Sequence, residues 1–513
     1  MDSPTLLAKL TKLSGWKRCV FLMLMGTCAM ASLAPTFLTF LLIPVFSLLF
    51  YLLDHSKTWK AAFFTLWWFG LGYFLSGTYW IALSLLVDST RFAWMIPFAT
   101  LGLSTILGIY YGLAGLTYHL ITQRIHVPAV TARIILFAIL LALSELARSY
   151  TFTGFPWNAI GYSLSVDEIL QQPASLVGIY GLNLLTVLFT TLPILLFYKL
   201  KHARYVVGIS TILLCTLCIW GYMRVSNTPE ITRTITARVV QGNVAKERKW
   251  NKELALNEYS RMTQEPSDHP IDLVVWPESS FPYVLEKESE WIDTLAVMLQ
   301  PQSTLLLGTV RGEGTRKENY KLWNSLAAIT AKGDVQYYDK HHLVPFGEYV
   351  PFRNILPIKK VIPGKLDFTP GLEKKTLTLP GDITIGPLIC YEAIFSRHAF
   401  FDEQPDLLIS ITNDGWFAKS AGPYQHLHMA RMRAIEQGVP LIRAANGGIS
   451  AVYDERGRLI DSIGLKQQSA KDISIALPAD KGTLYSRYGL RAFFALIALL
   501  FGIGFIFRHD TDL

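Results

Sequence analysis

The sequence predicts a multi-span α-helical membrane domain joined to an α/β domain, with one further membrane helix after it. Of the 513 residues, 51% are hydrophobic and only 17% are charged, and the mean hydropathy is +0.32. One soluble core does not normally hide so much apolar surface. The apolar residues are concentrated in long runs on both sides of a more polar stretch. We therefore expect a membrane protein that carries a separate polar domain.

Eight apolar runs approach the ~20 residues that a helix needs to cross a bilayer. They cover residues 19–32, 37–53, 61–83, 93–118, 134–146, 176–197, 206–222 and 488–507. We therefore expect a transmembrane domain of about seven helices over residues 1–225, an α/β domain over residues 226–486, and a last helix with its tail over residues 487–513. The first run also resembles a signal-peptide core, but residues 31–35 form a poor cleavage site, so a retained helix is expected.

Positive charges predict the orientation of the chain in the membrane. Lysine and arginine occur before the first run and in every second short loop, at Lys9, Lys12, Lys17, Arg18, Lys57, Lys60, Arg124, Arg133, Lys199, Lys201 and Arg204. Such loops stay in the cytoplasm, so an odd number of spans places the polar domain outside, in the periplasm of a bacterium, with both termini cytoplasmic. The formal charge of +8 does not indicate nucleic acid, because the basic residues are scattered beside apolar runs.

The polar stretch alternates short apolar runs with helical patterns. Strands are predicted at residues 234–241, 273–276, 304–308, 326–329, 383–389 and 407–411, and helices at residues 251–262, 288–299 and 425–437. Strands that alternate with helices are typical of a single α/β domain.

Three reactive side chains follow predicted strands of this domain. They are Glu278, Lys340, which follows the strand-like run 335–339, and Cys390, the only cysteine between residues 226 and 486. Ligands meet side chains at such strand ends. A carboxylate can take the thiol proton, the thiolate can attack a carbonyl carbon, and an ammonium can stabilise the oxyanion that forms. The set therefore indicates acyl transfer through a thioester.

Other interpretations of these residues remain open from the sequence. Taken singly, a glutamate such as Glu278 is more often a helix cap or a surface carboxylate, and a lysine such as Lys340 is more often a solvated loop charge. His341 and His342 are candidate partners of the thiol, or metal ligands together with His426 and His428. No His-x-x-x-His or His-Glu-x-x-His pattern occurs, so we expect neither a metal nor a cofactor.

Longer motifs around the three residues resemble a known family. Trp276-Pro277-Glu278-Ser279-Ser280, the run from Asp339 to Glu348, and Cys390-Tyr391-Glu392 are similar to the Glu, Lys and Cys motifs of carbon-nitrogen hydrolases, the nitrilase superfamily. The segments 413–417 and 446–450 fit the same pattern. With about seven spans before this domain and one after it, nearly the whole chain resembles the bacterial apolipoprotein N-acyltransferase family.

The resemblance implies a fold and a set of roles. The domain would be a nitrilase-like four-layer α-β-β-α sandwich. Glu278 would be the general base, Lys340 the oxyanion stabiliser and Cys390 the nucleophile that holds the acyl group. Glu348 would orient the lysine and assist proton transfer.

Further matches concern the surroundings of the thiol. Tyr391 and Glu392 match the pair that follows the family's cysteine, and Trp250 matches an aromatic residue near the acyl site. Phe346, together with Trp416 and Phe417, would line an opening toward lipid and limit hydrolysis of the thioester; core packing is an equally good interpretation of these rings.

The resemblance also implies substrates. A phospholipid would donate a fatty acyl chain to the cysteine, and the α-amino group of a diacylglyceryl-cysteine on an apolipoprotein would accept it. We expect a monomer in the bacterial inner membrane. The alternatives are a membrane-anchored amidase that uses water, and a transporter or lipid-sensing protein. The transporter is poorly supported, because Glu145 and Arg148 are the main charges within the spans.

Overall fold

The computed structural model describes residues 6–125, 127, 129–198, 202–244, 252–281, 283–285, 289–315, 318–355, 360 and 366–506. The chain forms two compact units. The first contains Met1–Ser226 and Arg487–Leu513, and the second contains Asn227–Ser486. The second unit is therefore inserted between two parts of the first.

The first unit is helical. Its main helices are Leu6–Thr11, Gly15–Met30, Leu42–Asp54, Trp59–Thr78, Ile81–Leu85, Ser89–Arg124, Val130–Tyr150, Ala174–Phe197, Ala203–Ser226 and Leu490–Ile506. Within the described ranges, four of these are long and apolar enough to cross a membrane: Ser89–Arg124, Val130–Tyr150, Ala174–Phe197 and Ala203–Ser226. Each of the eight apolar runs in the sequence overlaps a helix.

A buried ion pair lies inside the first unit. Arg148 and Glu145, one helical turn apart, are bonded to each other and are almost fully buried. The Tyr111 hydroxyl donates to Glu145 Oε1 at 2.7 Å, and the Arg148 guanidinium donates to the carbonyl of Phe155. Burial of two charges is tolerated because each is paired.

The last helix completes the first unit. Leu490–Ile506 packs against Val130–Tyr150 and Ala174–Thr191, and the rings of Phe493 and Tyr180 lie 6.3 Å apart. The two sequence-distant parts of this unit are therefore packed together.

The second unit contains two sheets. Its strands are β1 Ile231–Gln241, β2 Leu273–Val275, β3 Val284–Leu285, β4 Thr304–Thr315, β5 Glu318–Thr330, β6 Val335–Asp339, β7 Leu377–Leu379, β8 Ile383–Ile389, β9 Leu407–Asn413, β10 Leu441–Asn446, β11 Ser450–Tyr453, β12 Leu459–Ile463 and β13 Ser469–Pro478. In the described part of the chain, one sheet has the order β13-β1-β2-β4-β5-β6, with β3 paired to β4, and the other has the order β12-β11-β10-β9-β8-β7. Strands β1, β2 and β4 run parallel, as do β8, β9 and β10.

The apolar residues of the second unit form three layers of packing. One cluster joins the inner faces of both sheets, from Val239 and Leu306 to Ile389 and Ile409. A second cluster covers the outer face of the first sheet with helices Lys252–Thr263 and Glu290–Ala296. A third covers the second sheet with helix Gly422–Gln437. The predicted fold class, a helical membrane domain with a four-layer α-β-β-α domain, is confirmed.

The two ends of the second unit are neighbours. Strand β1 begins the unit and pairs antiparallel with β13, which ends it, and Ile231 lies opposite Pro478. The chain therefore enters and leaves this unit along one pair of strands.

Candidate active site

Glu278 lies just beyond the end of β2 and is 6% exposed. The backbone before it is fixed, because Trp276 N–H donates to the carbonyl of Leu306 at 2.8 Å. Strand β4 passes so close that a Cβ on Gly308 would lie 2.5 Å from the Cα of Glu278. Only a glycine fits there. The carboxyl group is thus held at the end of β2 by close backbone packing.

Lys340 follows β6 and is 1% exposed. Its Nζ lies 3.0 Å from Glu348 Oε1 and 3.6 Å from Glu278 Oε1. Burial alone would lower the pKa of Lys340, but the carboxylates of Glu348 and Glu278 outweigh it and raise that pKa above its ordinary value. The lysine is therefore a fixed cation between two carboxylates. Glu348 is itself anchored, because Val344 N–H donates to its Oε2 at 2.7 Å.

Asn324 is a site residue that the sequence did not reveal. Its Nδ2 donates to Glu278 Oε1 at 2.8 Å and to Glu348 Oε1 at 2.7 Å, and its backbone carbonyl accepts from Lys340 N–H at 2.8 Å. It lies within the long strand β5 and is 6% exposed. One amide therefore ties the two carboxylates and the lysine loop together.

Cys390 lies where β8 turns into a short 3₁₀ helix, Cys390–Ile394. Its φ of +53° is in the left-handed region, which a residue with a side chain enters at a cost of about 1–3 kcal/mol. Burial, with the negative charge of Glu278, raises the pKa of the thiol above its ordinary range, while Lys340 and a hydrogen bond from Thr412 act in the opposite direction. The thiol thus lies within electrostatic reach of Glu278 and Lys340, and it is protonated at rest.

Glu392 joins the cysteine turn to the lysine loop. Its Oε1 accepts from the backbone N–H of His341 at 2.7 Å and of His342 at 3.1 Å, and its Oε2 accepts from Ile389 N–H at 2.8 Å. Burial raises the pKa of Glu392 to about 7, although these donors pull it down. Tyr391 is 8% exposed, and its ring packs 5.5 Å from that of His342.

Of the four aromatic residues predicted to lie near the acyl site, the structure describes three. Phe346 is 38% exposed and has a φ of +61°. Trp416 and Phe417, in the turn after β9, are partly exposed. None of these three is a fully buried core residue. Trp250 lies outside the described residues.

The histidines considered as metal ligands have other surroundings. Among the described residues, no group of three or more His, Cys, Asp or Glu side chains could hold a metal ion. His426 instead faces Asp414 Oδ1 at 2.8 Å and the carbonyl of Cys390 at 3.1 Å. The ring of His341 faces the carbonyl of Gly371 at 2.8 Å.

The arrangement combines a carboxylate, an ammonium and a thiol at the carboxyl ends of β2, β6 and β8. A carboxylate near a protonated thiol can take its proton as sulfur attacks a carbonyl carbon. A buried ammonium can stabilise the oxyanion that results. This chemistry suits acyl groups, whether the final acceptor is water or an amine.

Comparison with known proteins places the chain in a family. Residues 236–477 match the family model of the carbon-nitrogen hydrolases, and residues 25–192 match that of the apolipoprotein N-acyltransferase N-terminal domain. The apolipoprotein N-acyltransferase of Rhodopseudomonas palustris is 35% identical over 511 residues, which is 95% of this chain and 94% of the relative. That of Allorhizobium ampelinum is 35% identical and covers 98% of each chain.

A solved structure also matches part of the chain. XC1258 from Xanthomonas campestris, a CN-hydrolase superfamily protein, is 22% identical, with a TM-score of 0.36, and covers 47% of this chain and 91% of its own. The assignment rests on the full-length relatives and on the two family models. The chain belongs to the apolipoprotein N-acyltransferase family.

Proposed function

We propose that this protein transfers a fatty acyl chain from a membrane phospholipid to the N-terminal α-amino group of a diacylglyceryl-cysteine on an apolipoprotein. The relatives that match nearly its whole length are named for this activity. The observation that carries the mechanism is the buried Lys340, placed 3.6 Å from Glu278 and 3.0 Å from Glu348, within electrostatic reach of the Cys390 thiol.

In the first half-reaction, Glu278 takes the thiol proton while Cys390 Sγ attacks the ester carbonyl carbon of the phospholipid. The base is needed in this step because the thiol is protonated at rest. The Lys340 ammonium donates to the oxyanion. When the ester C–O bond breaks, Glu278 returns the proton to the leaving oxygen, so a lysophospholipid departs and a thioester remains on Cys390.

In the second half-reaction, the α-amino nitrogen of the acceptor attacks the thioester carbon. Glu278 takes a proton from this nitrogen and gives it to the departing sulfur, which restores the thiol. Lys340 again stabilises the oxyanion. Glu348 and Asn324 hold the ammonium and the base in place through both steps. No cofactor takes part in either step.

The partly exposed rings of Phe346, Trp416 and Phe417 supply an apolar approach for lipid chains. Such a lining reduces the access of water to the thioester. Tyr391 supports the turn that carries the nucleophile, and Glu392 ties that turn to the lysine loop.

The test is to trap the acyl-enzyme. Purified full-length protein is incubated with phospholipid that carries labelled acyl chains, and the label on protein is measured before and after neutral hydroxylamine, which cleaves thioesters. We expect hydroxylamine-sensitive label on the peptide that contains Cys390, release of lysophospholipid, and transfer to an added diacylglyceryl lipopeptide. Cys390→Ala should abolish all three, whereas Cys218→Ala, in the helical unit, should leave them unchanged.

Three outcomes would contradict the proposal. Undiminished labelling and transfer by Cys390→Ala would exclude the thioester. Release of free fatty acid at the same rate with and without the lipopeptide would indicate an amidase-like hydrolase that uses water. Tight lipid binding without any turnover would point to the transporter or sensor alternative.

We further propose that the protein is a monomer of the bacterial inner membrane, with about seven spans before the second unit and one after it. The second unit would lie in the periplasm and both termini in the cytoplasm. The alternation of lysine and arginine between loops supports this orientation. In spheroplasts, an impermeant thiol reagent should label a cysteine placed at Lys321, which is exposed in the second unit, and not one placed at Lys57. The opposite pattern would reverse the topology.

A further inference from the structure

The backbone of Cys390 needs a support that the proposed chemistry does not supply. Its φ of +53° lies in the left-handed region, which is unfavourable for a residue with a side chain and persists only where its surroundings hold it. The turn must nevertheless keep the thiol directed at Glu278 and Lys340. The contacts of the Cys390 carbonyl identify what holds it.

A buried histidine bonds that carbonyl. His426, on helix Gly422–Gln437, is 1% exposed, and its Nε2 lies 3.1 Å from the Cys390 oxygen. Its Nδ1 lies 2.8 Å from Asp414 Oδ1. Arg443, on β10, bonds Asp414 Oδ2 through its Nη2 at 2.7 Å. Side chains from three different elements therefore converge behind the nucleophile.

Hydrogen-bond chemistry fixes the direction of the bond to Cys390. A carbonyl oxygen only accepts, so Nε2 must carry a proton and donate. Burial would raise the pKa of Asp414, but Arg443 and His426 outweigh it and lower that pKa, so Asp414 is a carboxylate. Nδ1 lies 2.8 Å from this carboxylate, on the opposite side of the ring from the Cys390 carbonyl.

Arg443 contacts both Asp414 and the ring. Its Nη2 lies 3.2 Å from His426 Nδ1 and 2.7 Å from Asp414 Oδ2. Asp414 and Arg443 therefore orient the ring together. A Cβ on Gly448 would lie 2.6 Å from Asp414 Oδ2, so a larger residue at position 448 would collide with this carboxylate.

We propose that His426 is a positioning residue for the nucleophile: its Nε2–H holds the Cys390 carbonyl, and with it the left-handed turn, while Asp414 and Arg443 hold the ring. The residue touches no substrate and acts only through the backbone of Cys390. Where acyl transfer is the readout, the inference rests on the proposed function. It extends the site to a second layer behind the thiol.

The experiment compares two polar replacements in the full-length protein. The amide nitrogen of glutamine reaches about as far as the histidine Nε2, so His426→Gln keeps the donor to Cys390. Asparagine reaches only the Nδ1 position, so His426→Asn keeps a bond to Asp414 and loses the one to the carbonyl. His428→Leu is the matched control, because residues two apart on a helix do not face the same side.

The first readout does not depend on acyl transfer. Iodoacetamide alkylation of Cys390 is followed at the peptide level by mass spectrometry, which separates it from the other four cysteines. The second readout is the rate of thioester formation in a single turnover. Because His426→Asn leaves the buried Cys390 carbonyl without its donor, it should slow both rates by about tenfold, while His426→Gln, which keeps a donor, stays within about threefold of the parent.

Equal rates for His426→Gln and His426→Asn, in variants whose melting temperatures match the parent, would overturn the inference. So would a loss in His428→Leu as large as in His426→Asn. If the parent forms no thioester at all, the proposed function fails, whereas the order of the alkylation rates still decides the role of His426.

Discussion

Replacing Glu392 with glutamine should remove a pH dependence from the folding stability of this protein. Glu392 is fully buried, and burial raises its pKa from the ordinary 4.5 to about 7, against the pull of backbone N–H donors from Ile389, His341 and His342. The folded protein therefore holds this proton more tightly than the unfolded chain does. The group stabilises the fold fully below pH 4.5, and this contribution is lost as pH rises through about 7.

The size of the effect follows from the shift. A change of one pKa unit corresponds to about 1.4 kcal/mol, so the contribution of Glu392 to the free energy of unfolding falls by about 3 kcal/mol across this window. A glutamine at the same position does not titrate. The difference in the free energy of unfolding, Glu392→Gln minus parent, should therefore be about 3 kcal/mol larger at the alkaline end of the pH range than at the acid end.

The assay is reversible unfolding of the full-length protein in detergent, at pH values from 4 to 8, by intrinsic fluorescence. Other groups titrate in the same range, so the quantity of interest is the difference between variant and parent at each pH. Glu290→Gln, at an exposed position on a short helix, is the matched control for the chemical change. Parallel pH profiles for Glu392→Gln and the parent would refute the reasoning, as would a difference that grows in the opposite direction.

Three further perturbations test other parts of the structure. Asn324→Leu removes the donor shared by two buried carboxylates. Hydrogen bonds to charged groups are worth about 1.5–3 kcal/mol, so thioester formation should slow by about tenfold or more. An unchanged rate would show that the Asn324 amide is not needed to hold the two carboxylates. Gly308→Ala forces a Cβ to within 2.5 Å of the Glu278 backbone. Overpacking costs about 1–3 kcal/mol, so both the melting temperature and the acylation rate should fall. If both are retained, strand β4 can move away from Glu278. Glu145→Gln leaves the buried Arg148 guanidinium without its carboxylate. The free energy of unfolding should fall by about 3–5 kcal/mol, which appears as a lower melting temperature in detergent. An unchanged melting temperature would show that the ion pair does not stabilise the fold.

The architecture was largely predictable because its signals are local. Long apolar runs mark the helices of the first unit, and short apolar runs followed by polar turns mark about half of the described strands of the second. Strands β3, β7 and β10 to β13 were not predicted. The ends of β2, β6 and β8 were therefore expected to carry Glu278, Lys340 and Cys390, and the structure brings these residues together. Their catalytic roles stay predictions.

The supporting residues were not predictable, because they depend on strand register and on distant contacts. Asn324 lies in the middle of a long strand, in no motif, and its carboxylate partners are 46 and 24 residues away. His426 suggested a metal ligand from its residue type, but its neighbours are Asp414 and the Cys390 carbonyl. Only the pairing of β9 with β10 and the placement of the following helix bring these groups together.

The insertion of the second unit into the first has a consequence for how the protein is made. The ribosome delivers the chain from its amino end, so residues 227–486 are complete before the last helix exists. Because β1 and β13 pair with each other, the second unit can fold before the last helix is synthesised. The first unit cannot, since Leu490–Ile506 is the element that packs against Val130–Tyr150 and Ala174–Thr191. The helical unit begins synthesis first and finishes assembly last, so a chain that ends prematurely near residue 486 contains a complete α/β unit and a helical unit that lacks its last helix.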